Sequence, residues 1–213
     1  MSTYKLTYFD ARARGEPARM LFALAGQKYE DIRYDFEGQE WPQIKGDRKR
    51  FPLGQLPVLD VDGQLLTQSR AIYRFLARRF PGDYYGKNDD ERAQIDVILG
   101  IIADIEIAIT PAFETPDAAK READLVKARD STLKPSYEFF SQSLQKAGGK
   151  YFVGNRMTLA DLVIFNLIDF FMDSIIGLKT YFDPYPNLVK YYETIKSDSP
   201  LTGYLKSRKN TPY

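Results

Sequence analysis

Residues 53–69 read Leu53-Gly54-Gln55-Leu56-Pro57-Val58-Leu59-Asp60-Val61-Asp62-Gly63-Gln64-Leu65-Leu66-Thr67-Gln68-Ser69. Two short β-forming runs flank Asp62-Gly63, a pair suited to a tight hairpin turn. Pro57 stands directly before the first run, where it marks a constrained turn. On its own it reads either as an ordinary trans loop proline or as a cis one. A cis Leu56-Pro57 bond would turn the Leu56 N–H and C=O outward, toward a peptide laid along the sheet edge. Ser69 then reads as the N-cap of a helix with Ile72, Tyr73, Leu76 and Phe80 on one face.

Upstream, Lys5 to Phe9 is a short strand. Pro17 suits the first turn of a helix in which Met20, Leu21, Leu24 and Ala25 recur at helical spacing, until Gly26 stops it. Residues 29–34 are a second strand, and Trp41 and Lys45, four apart, can share a helix face. The resulting order, β-α-β-α-β-β-α in about 80 residues, implies a small mixed sheet with helices against it. Downstream, residues 81–87 are a linker, and the pattern beyond is helical almost throughout. Helices are expected at 89–109, 118–146 (ended by Gly148-Gly149), 162–172, 185–197 and 200–207, with Thr158-Leu159-Ala160-Asp161 as a capping-box variant. The expected division is therefore an α/β domain at 1–81 followed by an all-α domain at 82–213.

The composition excludes several chemistries. The chain has 213 residues and neither cysteine nor histidine. A disulfide framework, a protein thiol nucleophile and a Ser-His-Asp or Cys-His relay are impossible, and structural zinc, haem or iron–sulfur ligation is not expected. Proton chemistry falls to carboxylates, Lys, Tyr (15 residues) or a group carried by the ligand. With 30 basic and 29 acidic residues, nothing in the charge balance points to nucleic acid or an anionic membrane. Residues 1–81 carry 14 basic and 10 acidic side chains, and 82–213 carry 16 and 19. The first part thus mildly favours a small anionic ligand. Met1-Ser2-Thr3-Tyr4-Lys5 lacks an apolar run and no stretch is long and apolar enough to span a bilayer, so a cytoplasmic protein without signal peptide is expected.

Single residues carry the chemistry ambiguously. Tyr8 sits where ligands gather, at the C-terminal end of the first strand, but alone it reads first as a half-buried β-former. Arg14 stands in the next loop, as a ligand group or as a solvated one. At Gln68-Ser69 a hydroxyl, backbone N–H groups and the helix dipole can hold a carboxylate, or Ser69 is a plain N-cap. Trp41, the one tryptophan, reads as core or, with Lys45, as the rim of an anion site. Asp104 lies in a helical apolar stripe, so it should meet a cation or amino group or face a solvated cleft. Arg48-Lys49-Arg50 and Arg78-Arg79 read as solvated surface.

Taken together, six segments resemble the cytosolic glutathione transferases, most of all the sigma class with its nematode and flatworm members. They are Leu6-Thr7-Tyr8-Phe9, Arg14-Gly15-Glu16-Pro17, Trp41 with Lys45, Gly54-Gln55-Leu56-Pro57-Val58-Leu59, Gln68-Ser69 with Ala71-Ile72, and Gly154-Asn155-Arg156-Met157-Thr158-Leu159-Ala160-Asp161. The resemblance implies a thioredoxin-like N-terminal domain, an all-helical C-terminal domain and a homodimer. It implies that Tyr8 is catalytic, and that Tyr8, Arg14, Trp41, Lys45, Gln55, Leu56, Pro57, Gln68 and Ser69 bind glutathione. Asp104 matches the position that reaches across the dimer toward the γ-glutamyl amino group.

The implied reaction uses the thiol of the co-substrate and needs no metal. A Tyr with an ordinary pKa near 10 stays protonated and donates a hydrogen bond to the thiolate, lowering the thiol pKa. A drop of about two units needs only about 2.7 kcal/mol, within reach of one charge-assisted bond and nearby dipoles. Small hydrophobic electrophiles would then be conjugated, a detoxification chemistry. Phe9, Ala13, Ile107, Thr110 and Pro111 are expected near the electrophile, with Tyr213 as a lid. Two alternatives stay open: glutathione-dependent prostaglandin isomerisation, and a non-catalytic hydrophobic-ligand carrier or crystallin-like protein. Gly100 and Ala103 stand where the metal-activated vertebrate prostaglandin D synthases carry acids, which speaks against metal activation and that product.

Overall fold

The structure is a computed structural model in which residues 2–173 and 178–211 are described, Asp173 and Leu178 by their backbone alone. The chain divides into two compact units, Met1–Tyr85 with Lys196–Tyr213, and Gly86–Ile195. The final segment thus groups with the beginning of the chain.

In the first unit, β1 (Tyr4–Phe9), β2 (Glu30–Tyr34), β3 (Val58–Val61) and β4 (Gln64–Thr67) form one mixed sheet in the order β2-β1-β3-β4. β1 and β2 run parallel, with Phe9 opposite Tyr34. Their crossover is α1 (Glu16–Ala25), entered through a 3₁₀ turn at Ala13–Gly15 and closed by Gly26 at φ 60°. β3 pairs antiparallel with β1, Leu6 opposite Leu59, and with β4, Val58 opposite Thr67. Asp62 and Gly63 both have positive φ, at 53° and 88°, as the hairpin reading requires. α2 (Glu40–Ile44) is a single short turn, and α3 (Ser69–Arg79) packs against α1. Leu6, Leu21, Leu59, Ile72 and Leu76 are wholly buried between these elements. Each contributes roughly 1.5–3 kcal/mol by leaving water. Thr202–Ser207 forms α9, also in this unit.

The second unit is helical: α4 (Asp89–Glu114), α5 (Ala118–Ala128), α6 (Lys134–Lys146), α7 (Leu159–Asp173) and α8 (Pro186–Ser197), with a 3₁₀ turn at Leu178–Phe182. Leu159, Leu162, Ile164, Phe165 and Phe171 are wholly buried, which makes α7 apolar all round and central. Asp161 within it is also buried. Its carboxylate accepts from the N–H groups of Phe152 and Thr158, the Thr158 hydroxyl and the Tyr191 hydroxyl. Burial nevertheless pushes that carboxyl up to about 6. Among the described residues no helix is long and apolar enough to cross a membrane.

Three expectations are corrected. The helix expected at 118–146 is two, joined by a π-helical turn at Arg129–Leu133. Pro135 has no N–H to continue the ladder, so the Lys134 N–H reaches back five residues to Arg129 O, and the Ser136 hydroxyl satisfies Thr132 O. The helix expected to stop at 109 continues through Pro111 to Glu114, because Ile109 and Ala112 extend its buried stripe. Ser69 is the first residue of α3 and not its cap; the cap position is Gln68.

Candidate functional site

The loop between β1 and α1 is built around Tyr8. The Tyr8 ring is buried, at 6% exposure, and Gly15 lies flat against it. A Cβ on Gly15 would come within 2.5 Å of Tyr8 Cδ1, so no larger residue fits there without a shift. The Tyr8 hydroxyl accepts from the Arg14 N–H at 3.2 Å, and the Arg14 carbonyl accepts from the Tyr73 hydroxyl at 2.6 Å. Arg19, fully buried, donates to Ala11 O at 2.6 Å and Phe9 O at 3.2 Å, and both oxygens of Asp31 accept from its Nε. Its guanidinium carbon lies 5.8 Å from the Tyr8 ring centroid, within cation–π range.

Beside this loop is a cleft of about 260 Å³ in the first unit. Arg14 and Phe9 form one wall and Trp41 of α2 another. Trp41 settles between its two readings: half-buried, it stacks edge-on with Phe9 and Phe51 and also lines the cleft. The segment Leu53 to Pro57 supplies the floor, and its Leu56-Pro57 bond is cis. Thr67, Gln68 and Ser69 close the cleft at the N-terminus of α3.

That helix end is prepared for negative charge. Gln68 makes no side-chain capping bond and the first turn carries no acid, so the helix's own first residues do not oppose the positive end of its dipole. Gln68 itself adopts φ 69° and ψ 109°, a conformation that costs a non-glycine residue about 1–3 kcal/mol. Ser69 is buried, at 8% exposure.

Seven of the residues expected to bind glutathione line this one cleft: Arg14, Trp41, Gln55, Leu56, Pro57, Gln68 and Ser69. Tyr8 adjoins it through Arg14 and Phe9. Lys45 is exposed at the end of α2, its carbonyl 3.0 Å from where a Cβ on Gly54 would stand. Asp104 lies on α4 in the second unit and is exposed, so the expectation of an apolar stripe around it is corrected. The buried face of α4 runs through Ile98, Ile102, Ile105 and Ile109, and Asp104 falls off that line. Of the electrophile residues, Phe9 lines the cleft, Ile107 is exposed on α4, and Tyr213 lies outside the described residues. Leu53 and Thr67 line the cleft without having been singled out. Both flank motif residues, and nothing in their chemistry marks them.

Arg50 is exposed, as its charge run reads, and also makes specific contacts. It donates to the Tyr34 hydroxyl at 2.8 Å and lies over the Phe51 ring, supporting the cluster behind Trp41.

The model of the glutathione S-transferase N-terminal domain matches residues 4–78, and that of the C-terminal domain matches residues 103–208. Glutathione S-transferase 1 of Ascaris suum is 39% identical, with all of both chains covered. S-crystallin SL20-1 of Nototodarus sloanii is 32% identical over 99% of both. Among solved structures, a sigma class glutathione S-transferase of Fasciola hepatica has a TM-score of 0.84 at 33% identity, covering 100% of this chain and 99% of that one. Two domain models that together cover most of the sequence, and relatives similar from end to end, place this enzyme in the glutathione S-transferase family.

Proposed function

We propose that the protein conjugates glutathione to small hydrophobic electrophiles, with the Tyr8 hydroxyl holding the thiol as its thiolate. The observation that supports this best is the convergence of Arg14, Trp41, the 55–57 segment and the uncapped start of α3 on one cleft beside Tyr8. The γ-glutamyl carboxylate would lie on Ser69 and the N-terminus of α3, where backbone N–H groups favour an anion. The cysteinyl backbone would pair with Leu56, and the glycyl carboxylate would approach Lys45 and Trp41. A hydroxyl that accepts from the Arg14 N–H keeps its own O–H as a donor, and that donor is the one assigned to the sulfur. The thiol proton leaves to solvent, the sulfur lone pair forms the S–C bond, and the electrophile's leaving group departs with its bonding electrons.

A homodimer is part of the reading, with the partner subunit's copy of Asp104 reaching the γ-glutamyl amino group. Sedimentation of Asp104→Ala beside the unaltered protein tests it: a dimer with weakened glutathione binding is expected. The test of the whole reading is a thermal titration with glutathione, followed by conjugation to a chlorinated nitroaromatic. At a hundred times Kd, stabilisation of about 2.7 kcal/mol is expected. No shift at millimolar glutathione overturns the reading. The similarity to an S-crystallin supports a second reading, a carrier without turnover. Binding to glutathione without conjugate would favour it.

A further inference from the structure

Within the first unit, residues 204–211 are fastened to the loop that holds Tyr8. The Tyr204 hydroxyl, on α9, donates to Glu16 Oε1 at 3.0 Å, and the Arg208 guanidinium reaches the same oxygen at 3.1 Å. Arg12 donates to the carbonyl of Thr211 at 3.1 Å, and Lys209 pairs with Asp10. These four contacts from 204–211 all fall on residues 10–16.

Glu16 is the centre of this arrangement. It is only 2% exposed, and a buried carboxylate persists only where charged and hydrogen-bonding partners compensate it. Those partners are Arg208 and the Tyr204 hydroxyl at Oε1, and Arg19, at 3.4 Å, at Oε2. Burial and the Glu16 carboxylate together push the Tyr204 phenol far up, so it remains a donor at every working pH. At the surface, Lys209 and Arg33 hold the Asp10 carboxyl below its usual range. The next residue back from Glu16 is Gly15, which lies on the Tyr8 ring, and the next is Arg14, whose N–H sets the Tyr8 hydroxyl.

We propose that residues 204–211 form a strap that positions the Tyr8 hydroxyl, with Tyr204 and Arg208 acting as positioning residues through Glu16, Gly15 and Arg14. This rests on the assignment of Tyr8 to the glutathione thiol. A displacement of about 1 Å at a catalytic group is enough to cost up to 100-fold in rate, so a loosened 10–16 loop should act on the thiol before it acts on the fold.

The test is a pH titration of the thiolate absorbance of saturating glutathione bound to the unaltered protein, Tyr8→Phe, Tyr204→Phe, Arg208→Lys and Tyr204→Phe/Arg208→Met. In the double variant the bound thiol pKa should rise by about half a unit to one unit, which below that pKa means roughly 3–10-fold less thiolate. Tyr204→Phe, a loss of one atom that the fold can absorb, should move it part of the way. Arg208→Lys, which keeps the cation, should hold it near the unaltered value. A double variant that melts earlier but titrates as before would show a strap that serves stability alone and would overturn the inference. Tyr8→Phe separates the two levels. A thiol moved by Tyr8→Phe and unmoved by either Tyr204 variant sinks only the strap, whereas a thiol unmoved by Tyr8→Phe sinks the assignment of Tyr8 as well.

Discussion

Arg14 and Tyr8 meet backbone to side chain: the Arg14 N–H donates to the Tyr8 hydroxyl at 3.2 Å. The bond fixes where the phenol oxygen stands without consuming its proton. On the proposed reading, Tyr8→Phe removes the one donor aimed at the sulfur and leaves the cleft walls intact. A charge-assisted bond of about 1.5–3 kcal/mol corresponds to a loss of about 10–100-fold in kcat. KM for glutathione should change by less than about threefold, since the cleft residues are untouched. Steady-state kinetics with a chlorinated nitroaromatic measure both, and an unchanged kcat would refute the role.

Gly15 gives a second test of the same loop by shape alone. A methyl group added there would stand 2.5 Å from Tyr8 Cδ1 and 3.1 Å from Arg19 Nη1. Both neighbours are buried and held, so the loop must move and the phenol with it. Gly15→Ala should lower kcat/KM by about tenfold or more while costing about 1–3 kcal/mol of stability, the range for overpacking. Urea unfolding and kinetics on one preparation separate the two effects. Full activity would mean that Tyr8 does not depend on the close approach.

The first unit was legible in the sequence because its signals are local. Pro17 and Gly26 bracket α1, Asp62-Gly63 sets the hairpin, and both give the structure observed. The second unit shows where local reading stops. Thr110-Pro111 looks like a helix end, yet α4 passes through it because Ile109 and Ala112 are buried by neighbours distant in sequence. The stretch 118–146 has one continuous helical rhythm, and only the missing N–H of Pro135 divides it. Spacing alone puts Asp104 in an apolar stripe, but it stands two positions past Ile102 and so on the outward side. The cleft takes a middle course. Its residues stand out as motifs, but Ser69, which reads as the cap, is the first helical residue and Gln68 holds the cap position, which depends on a positive φ that no propensity predicts for glutamine.

Glu91 and Arg156 supply a prediction in pH. Glu91 accepts from Arg156 and from the Lys87 N–H, and these bonds hold its carboxyl below the usual range. A depressed carboxyl contributes stability above its unfolded pKa and loses it as pH falls through the folded one. Glu91→Gln should therefore destabilise by about 1 kcal/mol at pH 7, with the difference shrinking at a pH below the ordinary carboxylate range. Urea midpoints at the two pH values check this. A difference that persisted in acid would assign the loss to packing and not to charge.

Asp161 makes the largest prediction for the second unit. The Phe152 N–H at 3.0 Å, the Thr158 N–H at 2.8 Å and the Tyr191 hydroxyl at 3.1 Å all converge on its carboxylate in the interior. Asp161→Ala strands the Phe152 and Thr158 N–H groups and the Thr158 hydroxyl, while the Tyr191 hydroxyl keeps the Asp161 backbone carbonyl. Each stranded donor costs about 1–3 kcal/mol, so the total should be at least about 3 kcal/mol. For a chain of this size that is a fall in Tm of roughly 6–12 °C. Asp161→Asn retains one acceptor oxygen and should fall between the two. The cleft lies in the other unit, so glutathione affinity per folded molecule should hold steady while the yield of folded protein drops. A calorimetric loss below about 1 kcal/mol for Asp161→Ala would mean that water replaces the carboxylate, and that α7 is entered by way of its apolar contacts alone.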